Sequence, residues 1–117
     1  IATTEDDFVR IRRKHRRALL QIAFADMTQP LPGLILFDGD HAHDILDFVT
    51  LHWPHIEVLM IHCEQGLSRS PAVAAAIARL KTGRYRRFFQ DPYLPNGYIY
   101  RRLLETAAGR ADYQRDD

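Results

Sequence analysis

One cysteine and one arginine stand at a spacing that suits nucleophilic chemistry on an anion. Five residues separate Cys63 from Arg69, and Ser70 follows directly. A thiolate is a strong nucleophile, and a guanidinium is a planar fork that can bind two oxygens of one oxyanion. Gly66 supplies the unrestricted backbone that a tight loop requires. These residue types predict a nucleophile at the mouth of an oxyanion-binding loop.

The sequence on either side predicts the elements that position this loop. The apolar residues 58–61 are typical of a buried strand, and the alanine-rich residues 72–80, preceded by Pro71, are typical of a helix. A turn from strand to helix directs backbone N–H groups and the positive end of the helix dipole at one point. We expect the loop backbone to bind phosphate there, and we expect the pKa of Cys63 to lie below its free value of about 8.5. The predicted phosphate-binding residues are Glu64, Gln65, Gly66, Leu67, Ser68 and Arg69.

The order His-Cys-x-x-Gly-x-Ser-Arg-Ser at residues 62–70 resembles the signature of the cysteine-dependent protein tyrosine phosphatases, in the form of their dual-specificity branch. The resemblance implies a phosphoric monoester hydrolase that forms a phosphocysteine intermediate and needs no metal or other cofactor. It implies that Cys63 is the nucleophile, that Arg69 binds phosphate and the transition state, and that Ser70 helps the thiolate leave. It further implies that His62 orients the loop and tunes the thiol, and that Asn96 helps to arrange the loop.

A thiolate that attacks a phosphate ester needs an acid to protonate the departing oxygen. Asp26 follows the second predicted strand, residues 18–25, and opens a loop rich in proline, so we predict that it is this general acid. Asp38 and Asp40 are the rivals. Both precede an amphipathic pattern that predicts a helix, where an aspartate is more often an N-cap than a catalyst. The choice between Asp26 and these two stays open at this point.

The pattern of elements predicts the architecture. We expect an α/β domain with a central, mainly parallel β-sheet flanked by helices, and with the Cys-x5-Arg loop between a strand and a helix. A last helix is predicted over residues 98–108, with Asn96 at its N-cap. Residues 1–117 are predicted to form a single domain. Because the sequence begins at Ile1 rather than at methionine, a domain that lacks N-terminal residues is also considered.

Composition limits the partners and the compartment. The chain is 117 residues long with a formal net charge of +1, so no strong overall field attracts it to nucleic acid or to membrane. We read the basic residues 10–17 as a solvated face rather than a nucleic-acid site. A single cysteine fits a reducing compartment, and we expect a cytoplasmic protein. The histidines at 41, 43, 52 and 55 lack ligand spacing, so we predict that they are surface residues and expect no metal site.

The predicted substrate is a phosphoprotein, with phosphotyrosine first, and the predicted inhibitors are phosphate, vanadate and tungstate. Glu64 places a negative charge in the loop, which disfavours a highly anionic inositide headgroup. Two alternatives stay open: a rhodanese-like sulfurtransferase, and a pseudophosphatase that recognises phosphate without turnover. The Ser-Arg-Ser ending and an available Asp26 argue against the first. Only failure of Asp26 and its rivals to reach the loop supports the second.

Overall fold

Three helices form most of the regular structure. The computed structural model describes residues 1–8 and 18–114, and the basic residues at 10–17 therefore lie outside the described part. In chain order the helices are α1 (Gly39–His52), α2 (Arg69–Lys81) and α3 (Gly97–Ala108). Single turns of 3₁₀-helix occur at Glu5–Asp7, Trp53–His55, Arg86–Phe89 and Ala111–Tyr113. Extended segments connect these elements.

The predicted central β-sheet is wrong. Half of the described residues are helical, and these residues contain no sheet. The one isolated bridge among them pairs Ala2 with Ala23 in parallel. Residues 58–61 are not a buried strand: Val58 and Met60 are 75% and 80% exposed, and no described backbone group pairs with this segment. The side chains of Leu59 and Ile61 pack against the core, but the segment forms no hydrogen-bonded strand pair with the described residues.

Local signals account for where the helices begin and end. Asp38 accepts hydrogen bonds from the backbone N–H groups of Asp40 and His41, and the His41 ring accepts one from the Asp38 N–H, which forms a capping box at the start of α1. Asn96 caps α3 through its side-chain oxygen, which accepts hydrogen bonds from the N–H groups of Tyr98 and Ile99. Helix α2 ends at Lys81 with Thr82 as its C-cap, and Gly83 takes the left-handed conformation that commonly follows a helix. The predicted helices over 72–80 and 98–108 are confirmed.

The core lies where α3 contacts both α1 and α2. Its largest fully buried side chains are Phe24, Phe37, Leu46, Ile99 and Leu103. The rings of Phe24 and Phe37 meet edge to face, with centroids 4.8 Å apart. Because Phe24 comes two residues before Asp26, this packing fixes the segment from which the predicted acid projects. Within the described residues, no helix combines the length and the apolar composition needed to cross a bilayer.

Replacing Leu46 with alanine should destabilise the domain by about 2–5 kcal/mol, because a fully buried side chain is removed and the core closes only partly around the gap. Leu51 lies on the same helix but is 66% exposed, so Leu51→Ala is the matched control and should change stability by about 0.5 kcal/mol or less. Urea unfolding followed by circular dichroism measures both. Equal losses in the two variants would contradict this core.

Candidate active site

The predicted phosphate loop ends in the first turn of α2. The helix begins at Arg69, and Arg69 and Ser70 are both 6% exposed. Backbone N–H groups in a first helical turn have no partner within the helix, so they are available to a ligand. Gly66 has a φ of 72°, in the left-handed region that other residues occupy at a cost of about 1–2 kcal/mol. The loop can therefore turn tightly into the helix at this glycine.

Backbone donors converge on the Cys63 sulfur. The N–H of Gly66 donates to Sγ at 3.2 Å, and the N–H of Ser70 donates to it at 3.4 Å. The Ser70 hydroxyl oxygen lies 3.3 Å from the same sulfur, within reach of a hydrogen bond in either direction. The loop thus surrounds the thiol with donors that favour its ionised form.

Two opposing effects decide the pKa of Cys63. Partial burial raises it, because the thiolate loses hydration. Hydrogen bonds from the Ser70 hydroxyl and N–H, and from the N–H groups of Gly66 and Gln65, lower it and together outweigh burial. The pKa of Cys63 therefore lies below its ordinary value. A larger fraction of the sulfur is thiolate at neutral pH than in a free cysteine.

The Arg69 guanidinium is fixed from one side. Its Nη1 donates to the Phe24 carbonyl at 3.0 Å and to the Thr3 hydroxyl at 3.1 Å. Its Nη2 lies 3.5 Å from a carboxylate oxygen of Glu64. Two donations use both hydrogens of Nη1, whereas Nε takes part in none of these contacts. The guanidinium is therefore held in place while donors on its other edge remain for an oxyanion.

Thr3 and the Phe24 carbonyl are site components that the sequence reasoning missed. They lie 66 and 45 positions from Arg69, and no local pattern marks either of them. The N–H of Thr3 also donates to Glu64 at 3.0 Å. Hydrogen bonds from Thr3, and to a lesser extent the Arg69 charge, hold the pKa of Glu64 below its usual value. Glu64 is thus ionised beside the arginine at neutral pH.

Asp26 lies against the same loop. Its Oδ1 accepts a hydrogen bond from the Ser68 hydroxyl at 2.9 Å and another from the Asn96 side-chain amide at 2.8 Å. Asn96 also donates to the Met27 carbonyl at 3.1 Å, and its backbone N–H donates to the Ser68 carbonyl at 3.0 Å. The fold thus brings the predicted acid, the predicted supporting asparagine and the loop together.

The rival aspartates belong to α1. Asp38 is its N-cap and Asp40 lies in its first turn. This capping role accounts for Asp38, as the sequence suggested, and neither carboxylate makes a described contact with the loop. His41 differs from the surface histidine that we expected. Its side chain is only 17% exposed, the ring packs against Phe24 and Phe37, and its Nδ1 completes the capping box.

The remaining predicted site residues surround the loop. The Leu67 carbonyl accepts a hydrogen bond from the Leu94 N–H at 2.8 Å, which ties the loop to the segment before α3. Gln65 is exposed. His62 is exposed too, and it engages the rest of the chain through its carbonyl, which accepts a hydrogen bond from the Ile1 nitrogen. Its predicted tuning of the thiol has no supporting side-chain contact in the described structure. No group of three potential metal ligands occurs among the described residues.

Comparison of the chain with protein-family models, with curated proteins and with solved structures finds no match. The functional argument therefore depends on the motif at residues 62–70 and on the geometry around it.

Replacing Ser70 with alanine should raise the pKa of Cys63, because the hydroxyl that stabilises the thiolate is lost while the Ser70 N–H remains. The pH dependence of alkylation by iodoacetamide measures this pKa. Ser68→Ala is the control, since the Ser68 hydroxyl donates to Asp26 rather than to the sulfur. An alkylation midpoint that stays the same in Ser70→Ala would refute the role given to this hydroxyl.

Proposed function

We propose that this chain is a metal-independent phosphoric monoester hydrolase of the cysteine-dependent protein tyrosine phosphatase class. The observation that carries the proposal is the set of hydrogen bonds around the loop at residues 62–70. Its backbone N–H groups converge on the Cys63 sulfur, its arginine is held in place, and Asp26 is hydrogen-bonded to its serine. A nucleophile, an anion-binding group and an acid are the three components that thiolate attack on a phosphate ester requires.

The first chemical step transfers the phosphoryl group to sulfur. The Cys63 thiolate forms an S–P bond as the ester P–O bond breaks, and Asp26 gives its proton to the leaving oxygen. The loop N–H groups and the Arg69 guanidinium stabilise the charge on the transferring phosphoryl oxygens.

The second step hydrolyses the phosphocysteine. Asp26, now a carboxylate, takes a proton from water, the water oxygen bonds to phosphorus, and the S–P bond breaks. The Ser70 hydroxyl then donates to the leaving thiolate, to which it lies close in the free protein. Inorganic phosphate is released and the thiolate is restored.

The substrate that we propose is a phosphoprotein, with phosphotyrosine first. The Glu64 carboxylate lies at the Arg69 guanidinium, so a headgroup with several phosphates would meet repulsion there. We also propose a cytoplasmic setting, because the single cysteine would have to stay reduced to act as a nucleophile. Inorganic phosphate, vanadate and tungstate should compete with the substrate for the loop.

Hydrolysis of p-nitrophenyl phosphate and of a phosphotyrosyl peptide, with a chelator present, tests the proposal. Turnover should vanish in Cys63→Ser, and kcat should fall by about 10²-fold or more in Asp26→Asn, because general acid catalysis typically contributes that much. Asp40→Asn is the matched control and should retain the parent kcat, since Asp40 lies in the first turn of α1.

The parent's behaviour separates the alternatives. An inactive parent that still binds vanadate would replace the proposal with a phosphate-recognition module. An inactive parent that binds no oxyanion would reject the phosphate loop itself. If turnover survives in Asp26→Asn but falls in Asp40→Asn, the acid has been assigned to the wrong aspartate.

A further inference from the structure

The Ser68 hydroxyl is not used as its position in the helix would suggest. Ser68 is the N-cap residue of α2, where a serine side chain commonly accepts a hydrogen bond from the first turn, yet it makes no capping bond. Its hydroxyl instead donates to Oδ1 of Asp26, 42 positions away in the chain, at 2.9 Å. The hydroxyl is therefore committed to the predicted acid rather than to the helix.

Because the Ser68 hydroxyl donates to Asp26, it is not available as a donor to a bound phosphate. A serine has one O–H hydrogen, so while that hydrogen points at Asp26 the oxygen offers an anion only lone pairs. The side chain of Ser68 thus differs from the backbone N–H groups of its own loop. The Ser68 hydroxyl donates to the Asp26 carboxylate, whereas the backbone N–H groups of the loop remain the donors for phosphate.

Asn96 holds Asp26 from the opposite direction. The two hydrogens of its Nδ2 go to Oδ1 of Asp26 and to the Met27 carbonyl, and its Oδ1 accepts from the N–H groups of Tyr98 and Ile99. All the principal hydrogen-bonding positions of a side chain that is 7% exposed are occupied. Asn96 is therefore a rigid connection between Asp26 and the first turn of α3.

We propose that Ser68 is a positioning residue for the Asp26 acid. Together with Asn96 it holds Oδ1 and keeps the acid docked on the phosphate loop before substrate arrives. This leaves Oδ2, which takes part in neither bond, to carry the proton to the leaving oxygen. The inference rests on the function proposed above and deepens it, because it states how the acid is positioned.

The dependence of rate on the leaving group tests this role. Phenolate is a more basic leaving group than p-nitrophenolate, so its departure depends more strongly on a proton from Asp26. Ser68→Ala should lower kcat for phenyl phosphate by about tenfold, the size expected for one hydrogen bond to a carboxylate, and should change kcat for p-nitrophenyl phosphate much less. KM and inhibition by vanadate should stay at parent values, because the hydroxyl gives the phosphate no donor.

Two further variants show whether Ser68 acts through Asp26. Ser68→Thr keeps the hydroxyl and should restore the parent rate on phenyl phosphate. In the Asp26→Asn background, Ser68→Ala should cause no additional loss, because the group that it positions is already absent. Additive losses would overturn the inference. So would an equal fall on both esters accompanied by weaker vanadate inhibition, which would make Ser68 a phosphate ligand.

Amide hydrogen exchange provides a measurement that does not depend on turnover. Peptides that contain Asp26 and Met27 should exchange faster in Ser68→Ala than in the parent or in Ser68→Thr, because one of the two bonds to the acid is lost. Identical exchange in all three proteins would overturn the inference even if the parent is an active phosphatase. If exchange is faster in Ser68→Ala but the parent shows no Cys63-dependent turnover, the contact between Ser68 and Asp26 stands. The catalytic role of Ser68 and the proposed function are then both rejected. A kcat for phenyl phosphate that rises in Ser68→Ala would also overturn the inference, because the contact would then restrain the acid rather than position it.

Discussion

The hydrogen bonds of Asn96 are the constraint on which the site depends. Its side-chain oxygen caps α3, its side-chain nitrogen holds the Asp26 segment, and its backbone N–H donates to the Ser68 carbonyl. Three parts of the chain that are distant in sequence are thus fixed by one buried residue. Asn96 is 7% exposed, so loss of one of its bonds would leave a polar group of this residue buried without a partner, which costs about 1–3 kcal/mol. Asn96 therefore caps α3 and fixes the geometry of the site at the same time.

The pKa of Cys63 depends on a balance between burial and the hydrogen bonds that the loop donates to the sulfur. Burial alone would raise the pKa of Cys63, and a cysteine in an ordinary buried turn would be inert. Here Gly66 adopts a positive φ, and its N–H reaches the sulfur. Ser70 contributes a second N–H from the first turn of α2. The Ser70 hydroxyl lowers the pKa of Cys63 most, and the loop conformation adds the N–H groups of Ser70, Gly66 and Gln65.

Sequence reasoning succeeded where the determining interactions are local. The capping aspartate Asp38, the helix after Pro71 and the cap at Asn96 all act over a few residues, so their patterns are visible in the sequence. The sheet failed because pairing is decided by partners far along the chain, and the apolar run at 58–61 carries no information about them. Thr3 was missed for the same reason, since its contact with Arg69 is made entirely by the fold.

The Glu64 carboxylate beside Arg69 raises the question of how phosphate competes with it. Their ion pair is long at 3.5 Å and the Glu64 side chain is 43% exposed, so the pair contributes little stability. The bonds from Nη1 to Thr3 and to the Phe24 carbonyl are shorter, and they keep the guanidinium in place whether or not Glu64 moves. A phosphate dianion can therefore take the Nε and Nη2 edge without reorienting the arginine. The negative charge of Glu64 then lowers affinity for all anions, and most of all for those that carry several phosphates.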